Sequence, residues 1–111
     1  MTEDAEILLI GFGIVSRILR STVDQLRAQG VKAGLFRPIT LWPFPSRELR
    51  ETAKHAKSVM AVELSTGMMV EDVKLALNGS VPVEFYGRTG GNVPTPEEIA
   101  VQVTSRMAAA V

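Results

Sequence analysis

The chain contains no cysteine in its 111 residues. It can therefore form no disulfide, present no thiolate nucleophile and hold no cysteine-ligated zinc or iron–sulfur centre. It has one histidine, His55. Neither sign of charge is in excess: Lys+Arg and Asp+Glu both number 12, for a formal net charge of zero. A neutral chain gives no electrostatic reason to expect nucleic acid or an anionic membrane as a partner. No apolar run approaches the ~20 residues that cross a bilayer. The opening residues, Met1 to Glu6, are acidic and lack the basic start of a signal peptide. Cytoplasmic residence is the resulting expectation.

What is present is a chain of single-domain size, 46% hydrophobic. That is long enough to bury roughly 60–70% of its unfolded surface and too apolar for disorder. The stretch from Ile7 to Leu19 organises the rest. Ile7–Ile10 is an unbroken apolar run that ends in Gly11-Phe12-Gly13. Ile14, Val15, Ile18, Leu19, Val23 and Leu26 then recur at helical spacing, with Arg17, Arg20, Asp24 and Arg27 on the other side. This pattern predicts a buried strand, a tight glycine turn and a helix from Ile14 to about Gln29, capped by Gly30. Val31–Phe36 reads as a second, mostly apolar strand.

Residues Arg37 to Pro45 carry three prolines, which exclude regular helix and sheet, and two aromatics, Trp42 and Phe44. This stretch is either a loop folded over its own sheet or a docking surface for another domain. Ser46 is placed to cap a short helix from Arg47 to about His55. His55, with no carboxylate partner nearby in sequence, reads as a surface residue. A third strand spans Ser58–Leu64, and Ser65-Thr66-Gly67 turns into a helix from Met68 to about Leu77. Its apolar face is Met69, Val70, Val73 and Leu77, and its Glu71 and Lys74 form a solvated face. Asn78-Gly79 ends that helix. Pro82–Tyr86 is a fourth strand, whose leading proline suits a sheet edge. After the glycine-rich loop Gly87–Pro94, the pattern Thr95-Pro96-Glu97-Glu98 predicts a capping box opening the last helix, with Ile99, Val103 and Met107 turned inward.

Four strands alternating with helices imply a three-layer α/β/α fold around a mainly parallel four-stranded sheet. Right-handed crossovers with the first strand central give the order 2-1-3-4. The glycine turn Gly11–Gly13 and the turn Glu63–Gly67 would then meet at the carboxyl edge, where such sheets bind ligands.

Gly11-x-Gly13-x-x-Ser16 nearly matches a dinucleotide fingerprint in the correct strand–turn–helix context. Ser16 replaces the third small residue, and Arg37 rather than an acidic residue follows the second strand. Arg37 suits a 2′-phosphate, which keeps NADP open, whereas a turn built only for packing accounts for the same glycines. Glu63 ends an apolar strand and reads as either an interaction residue or a solvated strand end. No histidine and second carboxylate converge with it in sequence, so acid–base catalysis is not indicated. Arg88, with Gly90 and Gly91 beside it, offers donors to an anion; it equally reads as an exposed loop arginine.

Three stretches together, Phe36–Pro45, Val62–Val73 and Asn78–Gly91, resemble one family. They are similar to the C-terminal part of the alpha subunit of 2-oxoacid:ferredoxin oxidoreductases, most closely the branched-chain (2-oxoisovalerate) type. The resemblance covers about Ala5 to Ile99 and implies a transketolase C-terminal-domain-like fold. It also implies an enzyme that converts a 2-oxoacid and CoA to acyl-CoA and CO2, passing electrons to ferredoxin. In this family thiamine diphosphate, with Mg, and iron–sulfur clusters carry the chemistry from other domains and subunits. This chain has neither cysteines for clusters nor the Gly-Asp-Gly…Asn signature for the thiamine pyrophosphate. Met68 stands where family members often carry glutamine, and its thioether cannot reproduce a polar contact made by that amide.

The sequence therefore points to one domain, residues 1–111, cut from a longer subunit and acting as a non-catalytic assembly domain. Trp42, Phe44, Glu63, Gly67, Arg88, Gly90 and Gly91 are its candidate interface or anion contacts. The implied partners are the remaining alpha-subunit domains, a thiamine-binding beta subunit, the iron–sulfur and gamma subunits and, through the complex, ferredoxin. The alternatives are a free-standing Rossmann-like nucleotide-binding protein using Gly11–Ser16 and a small anion-binding module at Arg88.

Overall fold

The computed structural model describes residues 5–38, 45–63, 68–79, 81–87 and 94–109. Strands β1 (Ile7–Ile10), β2 (Ala33–Phe36), β3 (Ser58–Glu63) and β4 (Val83–Gly87) form one sheet in the order β2-β1-β3-β4. Every pairing is parallel. Helices α1 (Ile14–Ala28), α2 (Ser46–Thr52), α3 (Met68–Leu77) and α4 (Pro96–Ala109) connect and cover the strands. The expected topology and three-layer architecture are the ones observed.

The alternation along β1 explains the layering. Successive side chains of a strand point to opposite faces. Ile7 and Leu9 join Val15, Leu19, Val23 and Leu26 of α1 and Ile99, Ala100 and Val103 of α4 in one core. Leu8 and Ile10 join Leu49 and Ala53, from α2 and the residue after it, and Val70, Val73, Ala76 and Leu77 of α3 in the other. All four β1 side chains are buried. A strand covered on both faces has no polar position to spare, which is why Ile7–Ile10 is a continuous apolar run.

Helix ends follow local chemistry. Gly30 lies at φ 86°, a conformation that side-chain-bearing residues rarely adopt. It lets the Val31 N–H reach the Leu26 carbonyl (2.9 Å) and its own N–H reach Arg27 (3.0 Å), the two bonds of a Schellman ending. Because Val31 is used in this way, β2 begins at Ala33 rather than at Val31. The expected capping box is present: the Glu98 N–H donates to Thr95 Oγ1 and the Thr95 N–H to Glu98 Oε1, both at 3.2 Å.

Other expectations are corrected. Pro45, not Ser46, occupies the N-cap of α2, and its carbonyl accepts the Leu49 N–H (3.1 Å). Ser46 is the first helical residue, and α2 closes at Thr52, before the exposed His55. Pro82 lies just outside β4, where its carbonyl accepts the Val59 N–H (2.9 Å). Ile14 is 58% exposed despite its helical spacing, because Val15, Ser16 and Leu19 take the inward side of this end of α1. Two polar residues of α1 are buried instead. Ser16 donates to the Gly13 carbonyl (2.6 Å) and Thr22 to the Ile18 carbonyl (2.9 Å), so neither hydroxyl is left unsatisfied.

Candidate functional site

The carboxyl edge of the sheet carries the candidate residues that the structure describes. β1 and β2 run in register, Ile10 opposite Phe36, and the Gly11 N–H donates to the Phe36 carbonyl (3.3 Å). The chain therefore leaves both strands at the same level, and Phe12-Gly13-Ile14 emerges beside Arg37-Pro38. An open cleft of about 390 Å³ lies there, lined by Phe12, Gly13, Ile14, Arg17, Arg37 and Pro38.

The two glycines of this turn act differently. A Cβ on Gly11 would lie 2.5 Å from Leu19 Cδ1 and 2.8 Å from Val15 Cγ1, so this glycine lets α1 pack against β1. Gly13 has open space around it and is fixed by conformation instead, at φ 64° and ψ −134°. Gly13 is also the N-cap of α1, which has no side-chain cap and no acidic residue in its first turn. Ser16, in the place of the fingerprint's third small residue, is buried with its hydroxyl turned back onto Gly13.

Glu63 closes β3 and is 8% exposed. Its Oε2 accepts the Val70 N–H at 3.0 Å. The first N–H groups of a helix have no intrahelical acceptor. The residue preceding α3 is glycine, which brings no side-chain acceptor, and Glu63 supplies one from the end of the adjoining strand. The carboxylate also sits favourably at the positive end of the helix dipole. Glu63 is thus neither a solvated strand end nor a group directed at the described cleft; it fixes the β3–α3 connection. Glu63→Ala should lower stability by about 1–3 kcal/mol, the cost of a buried donor losing its partner. Glu63→Gln, which keeps a carbonyl acceptor, should lose less. Urea unfolding of the two variants checks the order.

Trp42, Phe44, Gly67, Arg88, Gly90 and Gly91 lie outside the described residues, and with them the expected meeting of the two turns. Sequence reasoning did not connect Arg17 with Arg37, which lie twenty positions apart and meet only through the β1–β2 register. Among the described residues no group of three His, Cys, Asp or Glu side chains is placed to hold a metal ion. No helix of the described residues is long and apolar enough to cross a membrane.

A doubly wound parallel sheet with helices on both faces defines a three-layer α/β domain. In agreement, a split-gene transketolase solved as an inactive beta4 tetramer superposes on 93% of this chain and 38% of its own with a TM-score of 0.77, at 18% identity, a likeness of fold. A 2-oxoglutarate:ferredoxin oxidoreductase from Magnetococcus marinus, solved with 2-oxoglutarate, coenzyme A and succinyl-CoA bound, superposes with a TM-score of 0.80 at 25% identity. It covers 93% of this chain and 18% of that one. Residues 5–99 match the family model for pyruvate:ferredoxin oxidoreductase core domain II, and the chain belongs to that family. It is 52% identical over 93 residues to the ketoisovalerate oxidoreductase subunit VorB of Methanothermobacter marburgensis, a match over 84% of this chain. The chain spans about a quarter (26%) of that relative's length.

Proposed function

We propose that this chain is a non-catalytic assembly domain of a thiamine diphosphate- and iron–sulfur-dependent 2-oxoacid:ferredoxin oxidoreductase. The enzyme would take a 2-oxoacid and CoA to acyl-CoA and CO2, with electrons passing to ferredoxin. The observation that carries this reading is the 52% identity to a ketoisovalerate oxidoreductase subunit across 84% of the chain. The same similarity favours a branched-chain 2-oxoacid as substrate.

Two features support a structural role for the domain within that enzyme. Its one described strand-end carboxylate, Glu63, accepts a helix N–H rather than facing the described cleft. The chain has no cysteine to ligate an iron–sulfur cluster, and its described residues gather no trio of metal-binding side chains. Without cysteine the chain cannot ligate an iron–sulfur cluster through thiolates, and no chemical step is assigned to it. Thiamine diphosphate with its Mg and the clusters belong, on this reading, to the thiamine-binding beta subunit, the iron–sulfur and gamma subunits and the other alpha-subunit domains. The domain's part is to hold those pieces in place, with Trp42, Phe44 and the Arg88 loop as contacts.

Native gel filtration of source-cell extract, probed with an antibody to this domain, tests the reading. The signal should elute with 2-oxoacid:ferredoxin oxidoreductase activity, far above the 12.0 kDa of the chain. Elution at 12.0 kDa, apart from that activity, would refute it. In the assembled enzyme, replacing both Trp42 and Phe44 by serine should shift the domain's signal away from the active fraction. An unchanged profile would remove those two residues from the interface.

A further inference from the structure

The cleft at the carboxyl ends of β1 and β2 joins two chemistries. Arg17 and Arg37 line it, and none of its described lining residues is acidic. Among the described residues neither guanidinium has a hydrogen-bond or ion-pair partner. Arg27 and Arg50 differ: they donate to the carbonyls of Ala33 (2.8 Å) and Ala76 (3.4 Å). In a chain with equal numbers of acids and bases, two unpaired arginines on one cleft mark a surface complementary to negative charge.

The apolar part lies between them. Phe12 is 41% and Ile14 58% exposed, two of the few large hydrophobic side chains left in solvent. Gly13, held at positive φ between them, sets the turn from which both project. The cleft is open, with these side chains standing out from its wall. A small ligand bound tightly needs most of its surface enclosed, which an open cleft does not provide. A polypeptide segment does not need enclosure, because its own domain covers its outer side.

We propose that this cleft docks a segment of the oxidoreductase subunit lying beyond this domain, one that carries a carboxylate beside an apolar side chain. The carboxylate pairs with Arg17 and Arg37, and the apolar neighbour packs on Phe12 and Ile14. The relatives supply the room for such a segment, since about three quarters of their length lies outside the region matched here. This proposal rests on the reading of the chain as a domain of that larger enzyme.

The test places the photo-crosslinking residue benzoylphenylalanine at position 14 in the assembled oxidoreductase and identifies the trapped peptide by mass spectrometry. The expected product joins position 14 to an Asp- or Glu-containing peptide of the same subunit from outside this domain. The charge reversal Arg17→Glu with Arg37→Glu should reduce the crosslink yield about tenfold, the scale of a lost interfacial charge pair. Both side chains are exposed, so the fold should survive the change. Arg20→Glu, exposed on the same helix but outside the cleft, should leave the yield unchanged. A fully assembled enzyme with no crosslink, a crosslink to a second copy of this domain, or a yield indifferent to charge reversal would overturn the docking proposal and leave the proposed function standing. Saturable binding of 5′-AMP that protects position 14 in the assembled enzyme would also overturn it, by assigning the cleft to a small phosphorylated ligand. If the domain is absent from the assembled enzyme, the proposed function itself fails.

Discussion

Replacing Leu9 by alanine is expected to lower the stability of the chain by about 2–5 kcal/mol, the range for truncating a fully buried leucine. Leu9 sits in the central strand, opposite Leu35 of β2 on one side and Met60 of β3 on the other. Its side chain is 0% exposed and packs in the layer formed with α1 and α4. Alanine there would leave a cavity walled by parts of two strands and two helices, none of which can close it without losing contacts elsewhere. Leu75→Ala is the matched control. Leu75 is 77% exposed on α3, and its truncation should stay within about 0.5 kcal/mol. Urea titrations followed by far-UV circular dichroism compare the two; the Leu9 variant should shift the midpoint with little change in slope. Equal stabilities would mean that the first strand is not the packed centre described above.

The second large effect is at Gly11. A methyl group there would sit 2.5 Å from Leu19 Cδ1 and 2.8 Å from Val15 Cγ1, and both neighbours are buried in the core. Neither can turn away into solvent, so Gly11→Ala should cost about 1–3 kcal/mol as overpacking. The mechanism predicts a specific rescue. Leu19→Ala alone should cost about 2–5 kcal/mol, but the double variant should cost less than the two single changes together. The smaller residue at 19 vacates the space that the new methyl group needs. Strictly additive losses would place the penalty in the backbone of the turn rather than in the meeting of two side chains. Gly13→Ala separates the two roles of glycine here, because no atom obstructs a Cβ at that position and only its positive φ opposes one.

Much of this fold was legible because the information is local or periodic. The apolar run Ile7–Ile10, the spacing of Val15, Leu19, Val23 and Leu26, and the Thr95–Glu98 box each state their structure within a few residues. Strand order followed from the handedness of crossovers acting on that alternation. The failures have an equally physical origin. Hydrophobic spacing placed Ile14 in the core, but spacing does not record which side of the first helical turn faces the sheet, and Val15 and Ser16 take that side. Ser16 and Thr22 were not expected inside, since their hydroxyls are satisfied by the backbone of their own helix, a solution invisible to a polarity pattern. For Glu63 the sequence left two options, and the structure adds a third. One signal pointed to it: the residue before α3 is a glycine, so a nearby strand-end carboxylate is the natural acceptor for an orphan N–H. For the Arg17–Arg37 cleft the sequence set only Arg37 against the Gly11–Ser16 turn and gave no signal for Arg17. The cleft's residues belong to different elements, and only the pairing of β1 with β2 joins them.

The alternation along β1 gives the molecule two cores that share a wall but no side chain. Ile7 and Leu9 serve one, Leu8 and Ile10 the other. Among the described residues, a change of packing on one side meets the other across the strand backbone, which its ladder of hydrogen bonds holds in register with β2 and β3. The two broad faces of the domain are therefore separable in evolution. The surface made by α1 and α4 can be recut to suit a new neighbour while the α2–α3 side keeps an old one. For the assembly role proposed above, this partition would let each contact drift without forcing a new solution on the rest.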